Sequence, residues 1–118
     1  SQANDQTMLI ILIEDIVAVN NLDEILEVEN IDVFFVAPGD LAQTMGYPGE
    51  AGRTEVKKVV AEAIKKITSS GRTAGTLAGT DAVGEYIDLG ARFFSFSYLP
   101  WLAEGAEKFH EAVTKAIR

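Results

Sequence analysis

Apolar positions along the chain fall into short unbroken runs separated by stretches with helical spacing. Met8 to Ile13 (MLIILI) is apolar throughout and predicts a strand buried on both faces. Val19, Leu22, Ile25 and Leu26 then recur at helical spacing. Asp32 to Ala37 (DVFFVA) predicts a second buried strand, closed by Pro38-Gly39 and followed by a polar loop with four glycines between Gly39 and Gly52. From Thr54 to Ser70, Val56, Val59, Val60, Ala63, Ile64 and Ile67 trace one helix face, while Lys57, Lys58, Glu62, Lys65 and Lys66 fill the other. Thr54 is the expected N-cap and Gly71 the expected stop. A third strand around Thr73 to Leu77 leads through Thr80-Asp81 into a short helix ending at Gly90. Arg92 to Ser97 (RFFSFS) predicts a fourth strand, and Leu99, Leu102, Ala106, Phe109, Val113 and Ile117 mark a last helix.

The predicted order, β-α repeated four times, implies a parallel sheet with right-handed crossovers. Two architectures fit: a small open doubly wound sheet, or half of a closed barrel. With 118 residues the chain suits one domain, residues 1–118. Its 47% hydrophobic and 24% charged residues are a globular mixture. A net charge of -8 argues against nucleic acid, since phosphate binding draws on clustered Lys and Arg. The absence of cysteine excludes disulfide and thiolate chemistry and permits a cytoplasmic location. No apolar run approaches the ~20 residues of a membrane helix. Because the chain opens on Ser1 with no signal peptide, the expectation is a processed, cleaved or recombinant start.

In parallel α/β proteins reactive groups gather where strands end and βα loops begin. Four such ends are expected: Glu14-Asp15, Pro38-Gly39-Asp40, Ala78-Gly79-Thr80-Asp81 and Ser97-Tyr98. Two of them set a carboxylate directly after an apolar strand. Neighbouring strands lie ~4.8 Å apart, so Glu14 and Asp40 can converge on one small ion. Mg²⁺ or Mn²⁺ accepts such hard oxygen ligands, with water and substrate completing the shell. The plainer alternative is that Glu14 caps the next helix and Asp40 belongs to a turn. The glycine loop either closes over a ligand or is turn chemistry alone. Gly75, Gly79 and Thr80 precede a helix start, but no P-loop or dinucleotide fingerprint accompanies them. His110, the single histidine, falls in the last helix and reads as a surface or interface residue. Trp101 and Phe109 read as packing residues, in the core or in a subunit contact. No lysine stands at a strand end, so a Schiff-base mechanism has no candidate. A phosphoacceptor receiver domain, also acidic and α/β, lacks its strand-end lysine for the same reason.

The segments LIE (Leu12 to Glu14), NLDEIL (Asn21 to Leu26), VAPGDLAQTMGYPGE (Val36 to Glu50) and LGARFFSFS (Leu89 to Ser97) resemble the HpcH/HpaI family of class II pyruvate aldolases. That family includes 4-hydroxy-2-oxoheptanedioate and 2-dehydro-3-deoxyglucarate aldolases. The resemblance runs from about Ala3 to the C-terminus. It implies a (β/α)4 half of a TIM (β/α)8 barrel, parallel strands five to eight, with the N-terminal half absent. It implies that Glu14 and Asp40 bind a divalent metal (Mg²⁺, Mn²⁺ or Co²⁺). The backbone around Gly39 and Asp40 would hold the pyruvate carboxylate, and Leu77 would line the pocket. The implied reaction is cleavage of 4-hydroxy-2-keto acids to pyruvate and an aldehyde. The family's pyruvate-contacting arginine and catalytic histidine belong to the other half, so this chain offers no catalytic residue beyond the metal ligands. The expectation is an incomplete enzyme, partnered by a complementary N-terminal half-barrel or by further copies of itself. Family members are hexamers whose last helix packs on a neighbour, which makes Leu99 to Ile117 the expected interface. A non-catalytic half-barrel binding a metal or carboxylate is the alternative. The chain departs from the family pattern at Leu12 (commonly Gln), Asp15 (Thr or Ser), Ala37 (Gly) and Gly39 (Ala).

Overall fold

A computed structural model describes residues 2–117; Ser1, on which the expectation of a processed start falls, lies outside the described residues. Four strands form one parallel sheet in the order β1-β2-β3-β4: β1 (Ile10–Ile13), β2 (Val33–Val36), β3 (Ala74–Leu77) and β4 (Phe93–Ser95). The helices are α1 (Gln2–Asp5), α2 (Ile16–Asn20), α3 (Leu22–Leu26), α4 (Pro38–Thr44), α5 (Thr54–Ser69), α6 (Val83–Asp88) and α7 (Leu99–Ile117). Strand order chooses between the two architectures. Right-handed crossovers that always step in one direction put every packed helix on the same side of the sheet. That is barrel geometry; a doubly wound sheet reverses direction and is covered on both sides.

Register sorts the side chains accordingly. Ile13, Phe34, Val36 and Ala74 face the helices and join Leu22, Leu26, Leu41, Val56, Val60, Ile64, Ile67 and Tyr86 in the main core. Helix α5 contributes most, because Val56, Val60, Ala63, Ile64 and Ile67 recur every three or four residues and are all buried. Each such Val or Ile is worth ~1.5–3 kcal/mol of burial. Its polar face is solvated, with Lys66 reaching Asp23 of α3 at 2.7 Å. Thr76 is buried on this side, and its hydroxyl donates to the Val36 carbonyl at 2.9 Å.

The other face of the sheet carries Ile10, Leu12, Val33, Phe35, Gly75, Leu77 and Phe93. Phe35 and Phe93 meet edge to face with centroids 6.1 Å apart. Gly75 makes room for them: a Cβ there would sit 3.1 Å from both side chains. The edges of this face are open. Leu12 is 56% exposed and Leu77 47%. The expectation that β1 is buried on both faces is therefore overturned; Ile11 and Ile13 pack inward while Ile10 and Leu12 face solvent.

Three further expectations change. The loop after β2 begins as a helix, α4, with Pro38 at its start, where a missing N–H and a preset φ are harmless. Arg53, not Thr54, is the N-cap of α5; its guanidinium bonds Glu50 and Glu55, each at 3.0 Å. Helix α7 has no buried residue, so the core reading of Trp101 and Phe109 falls. Phe109 is 72% exposed, and Trp101 is 54% exposed and stacks on Phe96 at 4.8 Å. The radius of gyration is 18.0 Å, against ~13.5 Å for a compact domain of this length, because α7 stands away from the sheet. The two helix stops hold: Gly71 and Gly90 adopt φ of +80° and +97°.

Candidate active site at the carboxyl rim of the sheet

Strands β1 and β2 run in register, Ile13 opposite Val36, and the Ala37 N–H donates to the Ile13 carbonyl at 3.0 Å. Both segments therefore leave the sheet at one level of one rim. Glu14 follows β1 directly. Asp40 occupies the third position of α4, after the Pro38-Gly39 step. Their side chains line one open hollow of about 200 Å³, together with Asp15, Gln43 and Thr44. The predicted pair is thus brought to one place.

Each carboxylate has its own reason for being there. Asp15, not Glu14, caps α2: its Oδ1 accepts from the Val17 N–H at 2.7 Å. Capping by Glu14 is overturned, and its carboxylate has no hydrogen bond to a described residue. Asp15 also makes sense of a departure from the family pattern. Asp fills the capping role that Ser or Thr fills equally well. Asp40 lies in the first turn of α4, where a negative charge is favoured by the helix dipole. The first intrahelical bond of α4 runs from the Leu41 N–H to the Ala37 carbonyl at 3.0 Å. The amides of Gly39 and Asp40 therefore precede the ladder and stay available to a ligand. A Cβ at Gly39 would meet nothing within 4 Å, so the backbone there is open to approach.

Gln43 and Thr44 carry no strand-end signal in the sequence, yet they stand three and four residues after Asp40, on the same face of α4. Reading Gly39 to Gly52 as a loop removed that periodicity. Thr44 joins the two halves of the hollow: the Ile16 N–H donates to its Oγ1 at 3.1 Å, and the same hydroxyl donates to the Leu41 carbonyl at 3.0 Å.

Leu77 lies elsewhere on the rim. It lines a larger hollow of about 520 Å³ at the ends of β3 and β4, with Gly79, Thr80, Asp81, Phe96, Trp101 and Glu104. His110 sits far along α7 and lines neither. Among the described residues, no three His, Cys, Asp or Glu side chains are grouped to hold an ion. The fit to a metal rests on two carboxylates. That number suits Mg²⁺ or Mn²⁺, which commonly take one or two carboxylates and complete the shell with water and substrate. An open hollow with hard oxygen donors meets this requirement. No described helix is long and apolar enough to cross a membrane.

Comparison with known proteins places the chain. The family described as HpcH/HpaI aldolase/citrate lyase matches residues 1–98. A 2-keto-3-deoxy-L-rhamnonate aldolase of Klebsiella pneumoniae is 42% identical over 85 residues, which is 72% of this chain and 32% of that protein. The protein of the same name from Escherichia coli O1:K1 is 40% identical over 94 residues, 79% of this chain and 35% of its own length. The chain thus spans about a third of the curated relatives it matches. Among solved structures, an HpcH/HpaI aldolase/citrate lyase family protein of Burkholderia cenocepacia J2315 superimposes with a TM-score of 0.85 at 26% identity, covering 95% of this chain and 44% of that one. The four β/α units are accordingly half of a TIM-barrel fold of aldolase type. With the family matched over most of its length and the fold over nearly all of it, the chain belongs to the HpcH/HpaI aldolase/citrate lyase family.

Proposed function

We propose that this chain is the metal-binding half of a class II aldolase that cleaves 4-hydroxy-2-keto acids, of the 2-keto-3-deoxy sugar acid type, to pyruvate and an aldehyde. The observation that carries the reading is the shared hollow of Glu14 and Asp40 at the carboxyl rim, in a chain 40% identical to aldolases of that substrate class. Glu14 and Asp40 hold the divalent cation, Mg²⁺ or Mn²⁺ with Co²⁺ a third option, through carboxylate oxygens. When bound, the cation supplies Lewis acidity toward the keto acid. The free amides of Gly39 and Asp40 orient the substrate carboxylate. Leu77 gives the neighbouring hollow an apolar wall and keeps water from the rest of the substrate.

Cleavage breaks the C3–C4 bond. The 4-hydroxyl gives up its proton as the aldehyde forms, and C3 of the nascent pyruvate gains one. Among the described residues, the rim offers no histidine for that transfer. We assign it to a complementary N-terminal half-barrel, which would also cover the exposed inner face of β1 and β3. Assembly with further copies through α7 would cover its apolar stripe, and the cytoplasm is the compartment that fits a 2-keto acid enzyme without cysteine. The test is a Mn²⁺-dependent pyruvate aldol assay on the purified chain, alone and with the upstream half of a barrel of this family. Activity is expected only for the pair; turnover by the chain alone, well above background, refutes the division of labour. A second reading, a non-catalytic half-barrel that binds a metal or carboxylate, is favoured by the lack of a histidine lining either hollow of the rim among the described residues. Mn²⁺ binding with no turnover even in the pair would establish it.

A further inference from the structure

We infer that Thr44 is a positioning residue for the metal site, its hydroxyl holding the Glu14 segment against the helix that carries Asp40. The inference rests on the metal reading above. Two helix ends meet at this hydroxyl. Helix α2 begins with amides that have no intrahelical acceptor, and Thr44 is the last residue of helix α4. Asp15 satisfies the Val17 N–H from within its own turn. The Ile16 N–H is left, and it donates to Thr44 Oγ1, 28 residues away in sequence, at 3.1 Å. The same oxygen passes its proton on to the Leu41 carbonyl at 3.0 Å, which fixes the hydroxyl rotor. A single side chain thus bonds the first turn of α2 and the last turn of α4.

The consequence is geometric. Glu14 lies two residues before Ile16, and Asp40 lies one helical turn before Thr44 on the same face of α4. All of Glu14, Asp15, Asp40, Gln43 and Thr44 line the same hollow. The backbone bond from Ala37 to Ile13 sets the level at which the two strands end, but beyond it Glu14 belongs to a loop. The Ile16–Thr44 bond is the next tie between the segments. Without it, the segment bearing Glu14 loses its hydrogen-bonded tie to the helix of Asp40 and keeps only the packing of Ile16 on the core, and two carboxylates that share an ion must agree to within a few tenths of an ångström. Both hydrogen bonds of the Thr44 hydroxyl are to backbone groups, the Ile16 N–H and the Leu41 carbonyl. It acts through the backbone of α2.

The experiment compares Mn²⁺ affinity, read from the loss of the free-ion electron paramagnetic resonance signal, for the full 118-residue chain and the variants Thr44→Ser, Thr44→Val and Thr76→Val. Thr44→Ser keeps the hydroxyl and is expected to bind within about 3-fold of the unsubstituted chain. Thr44→Val keeps the shape and loses the bond, and is expected to bind roughly 10- to 100-fold more weakly, the range seen when a residue supporting a metal ligand is removed. Thr76→Val removes a buried hydroxyl that bonds the Val36 carbonyl and lies outside the lining of the hollow, and controls for loss of stability; its Mn²⁺ affinity is expected to be unchanged. Exchange of the Ile16 amide with solvent gives a reading that needs no metal: slow in the unsubstituted chain and in Thr44→Ser, fast in Thr44→Val. Undiminished Mn²⁺ affinity in Thr44→Val, equal loss in Thr44→Ser, equal loss in Thr76→Val, or an unprotected Ile16 amide in the unsubstituted chain overturns the inference while leaving the metal reading intact. Failure of the unsubstituted chain to bind Mn²⁺ overturns the metal reading itself and the inference with it.

Discussion

Gly90 ends α6 and starts the turn into β4, and the cost of giving it a side chain can be worked out from its surroundings. Its φ of +97° lies in the left-handed region, where a Cβ costs roughly 1–2 kcal/mol. That Cβ would also stand 2.9 Å from Thr68 Cγ2 and 3.2 Å from Thr68 Cβ. Thr68 cannot swing aside freely. Its hydroxyl has one proton to donate and three carbonyl oxygens within reach, those of Ile64 and Lys65 at 3.0 Å and that of Leu89 at 3.3 Å. Crowding a packed site adds about 1–3 kcal/mol. Gly90→Ala is therefore expected to cost about 2–5 kcal/mol in all. Two other glycines separate the contributions. Gly71 has φ of +80° but nothing within 4 Å of an added Cβ, so Gly71→Ala should cost only the backbone part, about 1–2 kcal/mol. Gly84, inside α6 with open space around it, should tolerate Ala or gain up to ~1 kcal/mol of helix propensity. Urea titrations followed by far-ultraviolet circular dichroism report the differences. At a slope of about 1.5 kcal/mol per molar, roughly that of a small domain, the midpoint should fall by about 1–3 M for Gly90→Ala and about 1 M for Gly71→Ala. Adding Thr68→Ser to Gly90→Ala removes the nearest methyl and should recover the crowding part. Equal losses at Gly71 and Gly90, or no recovery in the double variant, would refute the close approach of α5 to this turn.

Three further outcomes are expected. Glu14→Gln and Asp40→Asn should each weaken Mn²⁺ binding by about 10-fold or more while leaving stability against urea within ~0.5 kcal/mol of its starting value, since both residues are solvent-exposed; unchanged binding in either variant removes that residue from the ligand set. Sedimentation at micromolar concentration should show species heavier than the 12.8 kDa chain, because Leu12, Leu77 and the apolar stripe of α7 are all left uncovered; a purely monomeric mass would contradict this. Burial pushes the Tyr86 hydroxyl above its ordinary ionisation range, with Glu85 adding to the effect. A folded-state value above the unfolded one stabilises the fold below the unfolded value of about 10, and that contribution is lost as pH rises through the folded one. Tyr86→Phe should therefore flatten the fall in stability above pH ~10, and an unaltered alkaline limb would show that another group causes it.

Much of this protein was legible in its residues because the relevant forces are local. Unbroken apolar runs next to helical periodicity revealed four β/α units, and α5 declared itself through Val56, Val60, Ile64 and Ile67 with lysines opposite. Gly71 and Gly90 announced their turns because a positive φ suits few other residues. Glu14 and Asp40 stand out as carboxylates placed directly after apolar strands, and the sequence pattern around them pointed to the family. Local pattern misled where two signals competed. Gly39, Gly46, Gly49 and Gly52 read as loop, and outweighed Pro38 as a helix start; the packing of Leu41 and Ala42 into the core decided for a helix.

Tertiary structure alone decided the rest. An apolar run records that a strand is suited to burial, not that both its faces are covered, so Ile10 and Leu12 could be exposed without any change in the pattern. Strand order, hence the choice of barrel over doubly wound sheet, depends on which edges pair across crossovers, and no single element encodes it. The amphipathic pattern of α7 is real, but its apolar stripe meets no partner among the described residues, because amphipathicity specifies a need for contact and not where the contact is. The tie from Ile16 to Thr44 spans 28 residues and uses a hydroxyl that is ordinary anywhere else; only folding brings two helix ends to the same oxygen.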